Sequence, residues 1–384
     1  MKIAFISIVR DPWGGSEELW AKAAKLALDE KHEVFISFYK KNYLVPQLTA
    51  LQNDGAQIIF RRGYIAYHTP LFNRVWKKAK NFLLNRIFNP YNSLFAKKPD
   101  LIVYSCSCYS ILDDTELLKK LEKSQAKFII NTQVNVEYGK PINESQANIV
   151  REAFQRASRV LFVSERNLEV AERHLASKIS NSGIVRNPVN LSDTSIVPFP
   201  DDTGRVEFAM VANLLVNHKG HDIIIEVLSK PKWKNRDWHL NIYGRGIDEG
   251  YIKALVQFFD LTERITFHGH SKDIRNVWKS NHLLLMPSLN EGMPLAVVEA
   301  MICGRIVIAT DVGGHMEWIS DGENGFIAEG ANVYSFDRTM ERAWQSSKYW
   351  KIIGERAHET ATAKYDPFAE RTFLNILEEH GRGS

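Results

Sequence analysis

Short apolar runs alternate with stretches of helical periodicity along almost the whole chain. The runs of the first half are KIAFISIV, HEVFISFY, AQIIFR, DLIVYS, KFIINTQ and RVLFVS, and those of the second half are VEFAMVANL, WHLNIYG, ITFHG, HLLLMPS, RIVIAT and GFIAE. Each run has the length and the composition of a buried strand, and the segments between the runs read as helices. The alternation therefore predicts an α/β fold in which helices cover parallel sheets.

A polar stretch with several prolines interrupts this alternation near the middle of the chain. Its sequence, VRNPVNLSDTSIVPFPDDTGR, is typical of an interdomain linker. We predict two Rossmann-like, doubly wound domains that face a central cleft, at residues 1–190 and 205–360, joined by a linker at 191–204. Ligands of such sheets bind beyond the carboxyl ends of the strands, so polar residues that directly follow strands are the candidates for a site.

The amino-acid composition fits this interpretation and also indicates in which cellular compartment the protein is expected. The chain has 384 residues, of which 45% are hydrophobic and 24% charged, as in ordinary globular proteins. No apolar run approaches the roughly 18 residues of a membrane span, and KIAFISIV is interpreted as a first strand rather than a signal peptide. The cysteine count of three is odd, which argues against a disulfide framework and favours the reducing cytoplasm.

Positive charge is concentrated in one segment, residues 61–98, although the net charge is only +4. The segment has nine Lys or Arg, no Asp or Glu, and eight interleaved aromatic residues. Its stretch NRVWKKAKNFLLNRIF places five apolar residues at helical spacing: Val75, Ala79, Phe82, Leu83 and Ile87. Such a helix fits attachment to an anionic membrane surface or to an anionic acceptor. The alternative is a helix whose apolar face joins the core. A nucleic-acid partner is not expected, because no recognised binding motif is present.

Glycines and one lysine follow predicted strands. Gly14 and Gly15, in DPWGGSEE, would let the backbone approach a ligand closely at the start of a helix. Lys219, in NLLVNHKGHD, is predicted near the start of a helix, where it can supply a positive charge to a phosphate. The segment IYGRGIDEG resembles a dinucleotide fingerprint, but its spacing and the lack of an acidic ribose ligand argue against nicotinamide. Gly244 in that segment still permits close approach to a ligand.

The segment SLNEGMPLAVVEA, residues 288–300, places two carboxylates eight positions apart. Pro294 suits the first turn of a helix, so Glu291 lies in the preceding loop and Glu299 lies inside the helix. Glu299 stands in an apolar stretch, where an unpaired charge would be costly. Free amides at residues 292–295 would form an anion cradle. Two carboxylates that accept hydrogen bonds from hydroxyls, on either side of a phosphate cradle, indicate a nucleotide-sugar.

With these motifs the chain resembles the retaining glycosyltransferases of family 4, which have the two-domain GT-B fold. The E-x7-E pattern is present as EGMPLAVVE, and CGRIVIATDVGGHMEWISDGENGF follows it. GGSE, VSERN, RNPVN, HKGHD, YGRG and FHGHSKDI extend the similarity over almost the whole chain. The resemblance also implies that a C-terminal helix, residues 366–380, crosses back onto the N-terminal domain.

The resemblance gives each matching residue a role. Glu291 would contact hydroxyls of the donor hexose, Glu299 would contact those of the ribose, and Lys219 would neutralise the diphosphate. His270 and Ser271 would frame the base. The donor sugar and phosphates would be lined by a larger group, with the first two glycines approaching from the opposite domain: Gly14, Gly15, Asn213, Gly244, Gly292, Met293, Pro294 and Leu295.

Two residues that the family commonly has are absent here. An arginine usually precedes the lysine, and Asn213 or His218 are the candidates to replace it. A histidine usually follows a middle strand of the N-terminal half, where this chain has FIINTQVNVEY. Asn131 and Gln133 in that stretch could hydrogen-bond a sugar but could not act as a general base. We therefore expect the leaving diphosphate to take the acceptor proton, with catalysis by positioning and electrostatic stabilisation.

The resemblance implies transfer of a hexosyl group, with retention, from a nucleotide-sugar to a saccharide or lipid-linked saccharide in polysaccharide or glycoconjugate synthesis. UDP is the expected nucleotide, and GDP or ADP stay open. The chain has no D-x-D motif, so neither a metal ion nor another cofactor is expected. The alternatives are a catalytically inert nucleotide-sugar-binding protein and an epimerase-type enzyme on the same scaffold. The expected location is the cytoplasm or the cytoplasmic face of the membrane.

Overall fold

The structure, a computed structural model, describes residues 1–9, 13–40, 45–62, 65, 69–124, 126–138, 142–201 and 204–382, without the side chains of 82, 83 and 85–87. It divides into two compact units. Unit 1 comprises Met1–Pro188 and Asp366–Ser384, and unit 2 comprises Val189–Tyr365.

The described part of unit 1 contains a seven-stranded parallel sheet in the order β3-β2-β1-β4-β5-β6-β7. Its strands are β1 (Lys2–Ser7), β2 (Glu33–Tyr39), β3 (Gln57–Arg61), β4 (Leu101–Cys106), β5 (Lys127–Thr132), β6 (Arg159–Phe162) and β7 (Ser182–Ile184). Its helices up to this point are α1 (Gly15–Asp29), α2 (Pro46–Asn53), α3 (Leu71–Ile87), α4 (Asn92–Phe95), α5 (Thr115–Ser124), α6 (Glu144–Arg156) and α7 (Glu165–Leu175). The central strands are buried on both faces, as their continuous apolar runs require.

Unit 2 has a parallel sheet of six strands in its described residues, in the order β10-β9-β8-β11-β12-β13. The strands are β8 (Val206–Val211), β9 (Trp238–Tyr243), β10 (Ile265–Gly269), β11 (Leu283–Met286), β12 (Ile306–Thr310) and β13 (Phe326–Ala328). The helices are α8 (Val216–Lys219), α9 (His221–Ser229), α10 (Pro231–Lys234), α11 (Glu249–Phe258), α12 (Ile274–Ser280), α13 (Leu295–Ile302), α14 (His315–Trp318), α15 (Val333–Gln345) and α16 (Trp350–Lys364). The predicted α/β class with two parallel sheets is confirmed.

The last helix of the chain, α17 (Ala369–Gly381), returns to unit 1 and packs against α1. Phe373, Leu374 and Leu377 of α17 are buried in the same core as Trp20 of α1. His32 also contacts this helix, with its Nε2 atom 2.8 Å from Glu378 Oε1. The C-terminal segment is therefore part of the core of unit 1.

Residues that the sequence suggested as a linker, 191–204, are bound to unit 2 in part. The Val197 amide donates to Cys303 O at 3.2 Å. Arg305 is fully buried and donates to Val197 O at 3.1 Å and to Pro198 O at 2.6 Å. The Arg305 guanidinium thus provides hydrogen-bond donors for the backbone carbonyls of this segment at the start of unit 2.

The three cysteines, Cys106, Cys108 and Cys303, are buried and carry no disulfide. Burial raises the pKa of the Cys108 and Cys303 thiols to about 12, so both are neutral thiols. Among the helices that the structure describes, none combines the length and the hydropathy that crossing a bilayer requires.

Candidate functional site

The order of the unit 2 sheet reverses at β8 and β11, which lie side by side although β9 and β10 separate them in sequence. Loops that leave such neighbouring strands in opposite directions open a crevice at the carboxyl edge of the sheet. Here the two loops are held together by their backbones. The amides of Leu289 and Asn290 both donate to His218 O, at 2.8 and 3.3 Å. Residues after β11 are therefore fixed against the corner between α8 and α9.

Lys219 and Glu291 meet across these two loops. The Lys219 Nζ atom lies 2.5 Å from Glu291 Oε1, although the residues are 72 positions apart. Lys219 is the last residue of the four-residue helix α8 and lies just before Gly220, the N-cap of α9, so it is near the start of a helix as predicted. Gly220 ends α8 with a φ of 67°, and a Cβ atom there would lie 2.2 Å from Pro287 O. This tight corner brings the ammonium group to the carboxylate.

The Glu291 carboxylate is buried and ionised. Burial alone would raise its pKa, but the neighbouring groups, of which Lys219 contributes most, together outweigh burial and lower the pKa below its usual value. The Ser288 hydroxyl also donates to Oε1 at 2.8 Å. Ser288 O in turn accepts from the Thr310 hydroxyl at 2.6 Å, which fixes the loop on β12. The site therefore holds a buried anion in direct contact with the Lys219 ammonium group.

His315 adds a neutral imidazole beside Glu291. Its Nδ1 atom lies 2.7 Å from Thr310 O, and a carbonyl can only accept, so Nδ1 carries the hydrogen. Burial lowers the pKa of His315, against the opposing charge of Glu291. Its Nε2 atom is then a buried acceptor, and it has no hydrogen-bond partner among the residues described. A ligand hydroxyl or a water molecule would satisfy it.

Glu299, the second carboxylate of the E-x7-E pattern, is buried in α13 and accepts from the Asn190 amide at 3.0 Å. The predicted cost of leaving this charge unpaired in an apolar stretch is thus reduced by a backbone amide from the segment that enters unit 2. Asn190 was not singled out from the sequence, because nothing in RNPVN indicates a partner 109 residues away.

The start of α13 differs from the prediction in two details. Pro294 is the N-cap residue, directly before the first helical residue, rather than within the first turn. The Leu295 amide donates to Met293 O at 3.0 Å, so it is not a free donor as expected. Gly292 accepts from the Gly314 amide at 3.0 Å, which ties this loop to the one after β12. The predicted cradle of amides at 292–295 therefore lacks Leu295, besides Pro294, which has no N–H.

Two glycines are required by neighbouring backbone. Gly244 has a φ of 150°, and a Cβ atom there would lie 1.8 Å from Ala212 O, in the loop that follows β8. Gly313 has a φ of 52°, and its Cβ atom would lie 2.2 Å from Glu291 O. Close packing of two loops therefore requires glycine at position 244, and the predicted approach of a ligand to this residue stays a prediction.

The other unit 2 residues predicted to bind the sugar donor do not take part in the Lys219–Glu291 contact. Asn213 is exposed in the loop after β8, and its carbonyl accepts from the Leu215 amide at 2.8 Å. His270 is exposed after β10, and the Ser271 hydroxyl donates to Asp273 O at 3.2 Å. No hydrogen bond in the described part of the chain joins these three residues to the ion pair. Their predicted contacts to the donor stay predictions.

The predicted residues of unit 1 follow its strands as expected. Asn131 is fully buried near the end of β5, and neither side-chain amide atom has a partner in the described part of the molecule. Gly14 is the N-cap of α1, where a Cβ atom would meet no described atom within 4 Å. Gly15 begins α1, and Glu17 in its first turn accepts from the Ser7 hydroxyl at 2.6 Å. Their predicted role in donor binding is not tested by these contacts.

Three residues that complete the site were missed from the sequence: Ser288, His315 and Asp248. Ser288 and His315 stand near recognised motifs, but only the fold shows that both approach Glu291. Asp248 Oδ2 accepts from the Val216 amide at 2.8 Å and so caps α8 from another loop.

In the described residues, the group spaced to hold a metal ion lies in unit 1 and consists of Glu30, His32 and Glu378. Its carboxylates are already paired, Glu30 with Arg371 and Glu378 with Arg382. Because two guanidinium groups compete for these oxygens, the group does not fit a metal ion well. The expectation of a metal-independent protein stays a prediction.

Comparison with known proteins places a family domain over this site. Residues 197–360 match the family described as Glycosyl transferases group 1. An uncharacterised glycosyltransferase of Haemophilus influenzae is 32% identical over 120 residues, which cover 31% of this chain and 34% of that protein. The putative glycosyltransferase EpsD of Bacillus subtilis is 28% identical over 163 residues, 42% of each chain. The match thus spans only about a third to two-fifths of these relatives' length.

Solved structures match over nearly the full length. Anabaena HepE, in complex with UDP and glucose, superimposes with a TM-score of 0.72 at 17% identity, over 98% of this chain and 99% of that chain. Sucrose-phosphate synthase from Thermosynechococcus elongatus gives a TM-score of 0.75 at 17% identity, over 99% and 98%. The chain has the α/β fold with two parallel sheets of the GT-B glycosyltransferases, and residues 197–360 are the part that matches the group 1 family.

Proposed function

We propose that this protein is a retaining hexosyltransferase of glycosyltransferase family 4. It moves a hexosyl group from a nucleotide-sugar, with UDP as the expected nucleotide, to a saccharide or lipid-linked saccharide acceptor. The observation that carries the proposal is the Lys219–Glu291 contact at the reversal point of the unit 2 sheet, inside the matched domain. The relatives support the choice of donor, because HepE is described in complexes with UDP and with UDP-glucose.

In this proposal the bound donor breaks the contact between Lys219 and Glu291 and forms its own contacts with both side chains. The diphosphate takes the place of the Glu291 carboxylate at Lys219, which then neutralises the leaving group. Glu291, released from the ammonium, accepts hydrogen bonds from hexose hydroxyls, and Glu299 accepts them from the ribose. The pair is thus preorganised, since the charges needed for the donor already stand in place.

The reaction exchanges one bond at the anomeric carbon for another. The bond from this carbon to the phosphate oxygen breaks, and the acceptor oxygen forms the new glycosidic bond on the same face. The acceptor proton moves to the departing diphosphate. The chain's own contribution is electrostatic, and no metal ion or other cofactor is needed in this scheme.

The proposal is tested with a panel of nucleotide-sugars, scored for release of free nucleotide. Wild type should release nucleotide from at least one donor, and Glu291→Ala should lower the rate by about 100-fold or more. Glu323→Ala, which removes an exposed carboxylate of the same unit, should leave the rate unchanged. Circular dichroism and thermal unfolding would check that Glu291→Ala is folded.

Two outcomes would contradict this function. If wild type binds UDP but releases nucleotide from no donor in the presence of saccharide or lipid-linked acceptors, the inert binding protein is the better reading. If it interconverts two nucleotide-sugars without transfer, the epimerase-type alternative is favoured.

The similarity to enzymes of polysaccharide and glycoconjugate synthesis also leads us to expect that the protein acts in the cytoplasm or at the cytoplasmic face of the membrane.

A further inference from the structure

Helix α3 of unit 1 turns apolar side chains to the solvent. Among its described side chains, Leu71 is 78% exposed, Phe72 81%, Val75 60% and Trp76 57%. At 100° per residue these four side chains fall within an arc of about 140°. Four large apolar residues exposed on one face of a helix are unusual for a surface that only contacts water.

The opposite arc of α3 is the less exposed side of the helix. Its partly buried residues are Arg74, Asn81 and Leu84, which lie together on that side of the helix. No described element packs extensively against α3. Of the five apolar residues that the sequence placed on one face of this helix, Val75 and Ala79 are exposed, so for these two the alternative in which the face joins the core is wrong. Phe82, Leu83 and Ile87 lie outside the described side chains.

Positive charge borders the exposed apolar face. Lys78 and Lys80 are exposed on the two sides of the apolar arc, and Lys77 is exposed on the opposite arc. The Lys80 Nζ atom lies 5.1 Å from the centre of the Trp76 ring. The whole segment 61–98 has no acidic residue that could neutralise them. The 17 residues of α3 extend about 25 Å, which suits a helix that lies along a surface.

We propose that α3 is a membrane-docking helix that lies in the plane of an anionic lipid surface. Leu71, Phe72, Val75 and Trp76 enter the boundary between head groups and acyl chains, and the flanking Lys78 and Lys80 contact lipid phosphates. The charge complementarity selects this occupant over a second copy of the chain, since two copies would bring the same positive charges together. This proposal rests on the proposed function in one respect only, namely that the lipid surface is the cytoplasmic face of the membrane.

Insertion makes a different prediction from simple electrostatic attraction. Charge alone would give binding that high salt abolishes and that ignores the aromatic residues. Insertion adds an apolar contribution that persists in salt and depends on Phe72 and Trp76. The two contributions can be removed separately, because the basic and apolar residues occupy different arcs of the helix.

The test is flotation of the full-length protein with vesicles of phosphatidylcholine, with and without 30% phosphatidylglycerol. Wild type should float with the anionic vesicles and keep part of its binding in 500 mM salt. Phe72→Ser/Trp76→Ser and Lys77→Glu/Lys78→Glu/Lys80→Glu should each lower partitioning by about 10-fold or more. Phe258→Ser, which removes a phenylalanine of similar exposure (76%) from unit 2, should partition like wild type.

Fluorescence locates the inserted face. Lipids brominated on their acyl chains should quench part of the tryptophan emission of wild type, and Trp76→Phe should remove that quenched part while still binding. Absence of wild-type flotation, or equal partitioning of Phe72→Ser/Trp76→Ser and Phe258→Ser, would overturn the proposal. A shift from dimer to monomer in Phe72→Ser/Trp76→Ser, measured by light scattering without lipid, would favour a second copy instead.

Failure of this inference is distinguishable from failure of the proposed function. Glu291→Ala should float like wild type although it releases little nucleotide. The α3 variants should release nucleotide from a water-soluble donor at the wild-type rate when no lipid is present. A loss of that release in the α3 variants would assign α3 to the donor site and contradict a role confined to the membrane.

Discussion

At the scale of single residues, unit 2 buries several ionisable groups, and only some of them have hydrogen-bond or ion-pair partners among the residues described. Glu291 keeps its charge because Lys219 and Ser288 contact it. His221 has no such support, since it is fully buried and neither ring nitrogen has a partner among the residues described. Burial, aided by Lys219 and opposed by Asp248, lowers its pKa to about 4. The two residues should therefore respond differently to acid.

We expect His221 to make the protein less stable as the pH falls from 7 to 5. The folded state holds the neutral ring while the unfolded state binds a proton near pH 6.5, so stability is fully present above that pH and is lost towards pH 4. The loss from this group between pH 7 and pH 5 should be about 2 kcal/mol. Urea unfolding at the two pH values would measure it.

His221→Leu should remove this part of the pH dependence. His270→Leu, at an exposed position, should retain the wild-type difference between the two pH values. An unchanged pH dependence in His221→Leu would show that the ring is not buried in its neutral form.

Gly313→Ala should damage both stability and nucleotide release. The residue would have to keep a φ of 52° and push a Cβ atom against Glu291 O, so we expect a loss of about 3 kcal/mol or more. Displacement of the Glu291 loop should also slow nucleotide release. Urea unfolding and the release assay would measure the two effects.

Gly322→Ala is the matched control, because Gly322 also has a positive φ, 79°, but no atom within 4 Å of the added Cβ. It should cost only the left-handed strain of about 1–2 kcal/mol and leave release unchanged. Equal effects of the two substitutions would refute the steric argument.

At the scale of elements, local sequence predicted the strands better than the helix ends. The continuous apolar runs became the buried strands, because a parallel sheet covered on both faces needs apolar side chains on both. Near Lys219, where the sequence predicted the start of a helix, the structure has two helices, α8 and α9, on either side of Gly220. At this break a Cβ atom would lie 2.2 Å from Pro287 O, which belongs to a loop distant in sequence, so only glycine fits there. The sequence pattern around Gly220 cannot predict a contact with a residue so distant in the chain.

The C-terminal helix α17 should contribute strongly to the stability of unit 1. Phe373→Ala would leave a cavity beneath a fully buried ring, and we expect a loss of about 3–5 kcal/mol in the free energy of unfolding. Phe368→Ala, just before the same helix and 66% exposed, should change it by less than about 0.5 kcal/mol. Urea unfolding followed by circular dichroism measures both, and similar values for the two variants would mean that α17 does not pack as described.

At the scale of the whole molecule, each unit has its own sheet, core and reversal of strand order. The reversal in unit 2 gathers residues from two distant loops, which is why Lys219 and Glu291 could each be predicted but their contact could not. The resemblance of motifs gave the GT-B fold, whose two parallel sheets the structure and the solved relatives confirm. Residues that support Glu291, such as Ser288 in the same loop and His315 from the loop after β12, carry no sequence signal of their own.

Binding of UDP should stabilise the protein without a metal ion. At about 100 times the dissociation constant, UDP should raise the free energy of unfolding of the unit that binds it by about 2.7 kcal/mol. The gain should be the same in EDTA, because Lys219 rather than a metal ion is proposed to neutralise the diphosphate. Thermal unfolding with and without UDP and EDTA measures this.

Uridine, which lacks the diphosphate, is the matched ligand and should stabilise much less at the same concentration. Lys219→Ala should reduce the difference between UDP and uridine. Loss of the UDP effect in EDTA would contradict metal independence.

The sequence by itself determined the α/β class, the repeated strand–helix alternation, the E-x7-E carboxylates and the lysine that follows a strand. These are set by periodicity and by motifs within short stretches of chain, where side-chain spacing and turn residues act locally. Tertiary structure alone decided which charges meet, which glycines are indispensable and which face of α3 is left exposed. Each of these depends on atoms brought together from distant segments, and the free energy of a buried charge or an exposed apolar face is set by those neighbours.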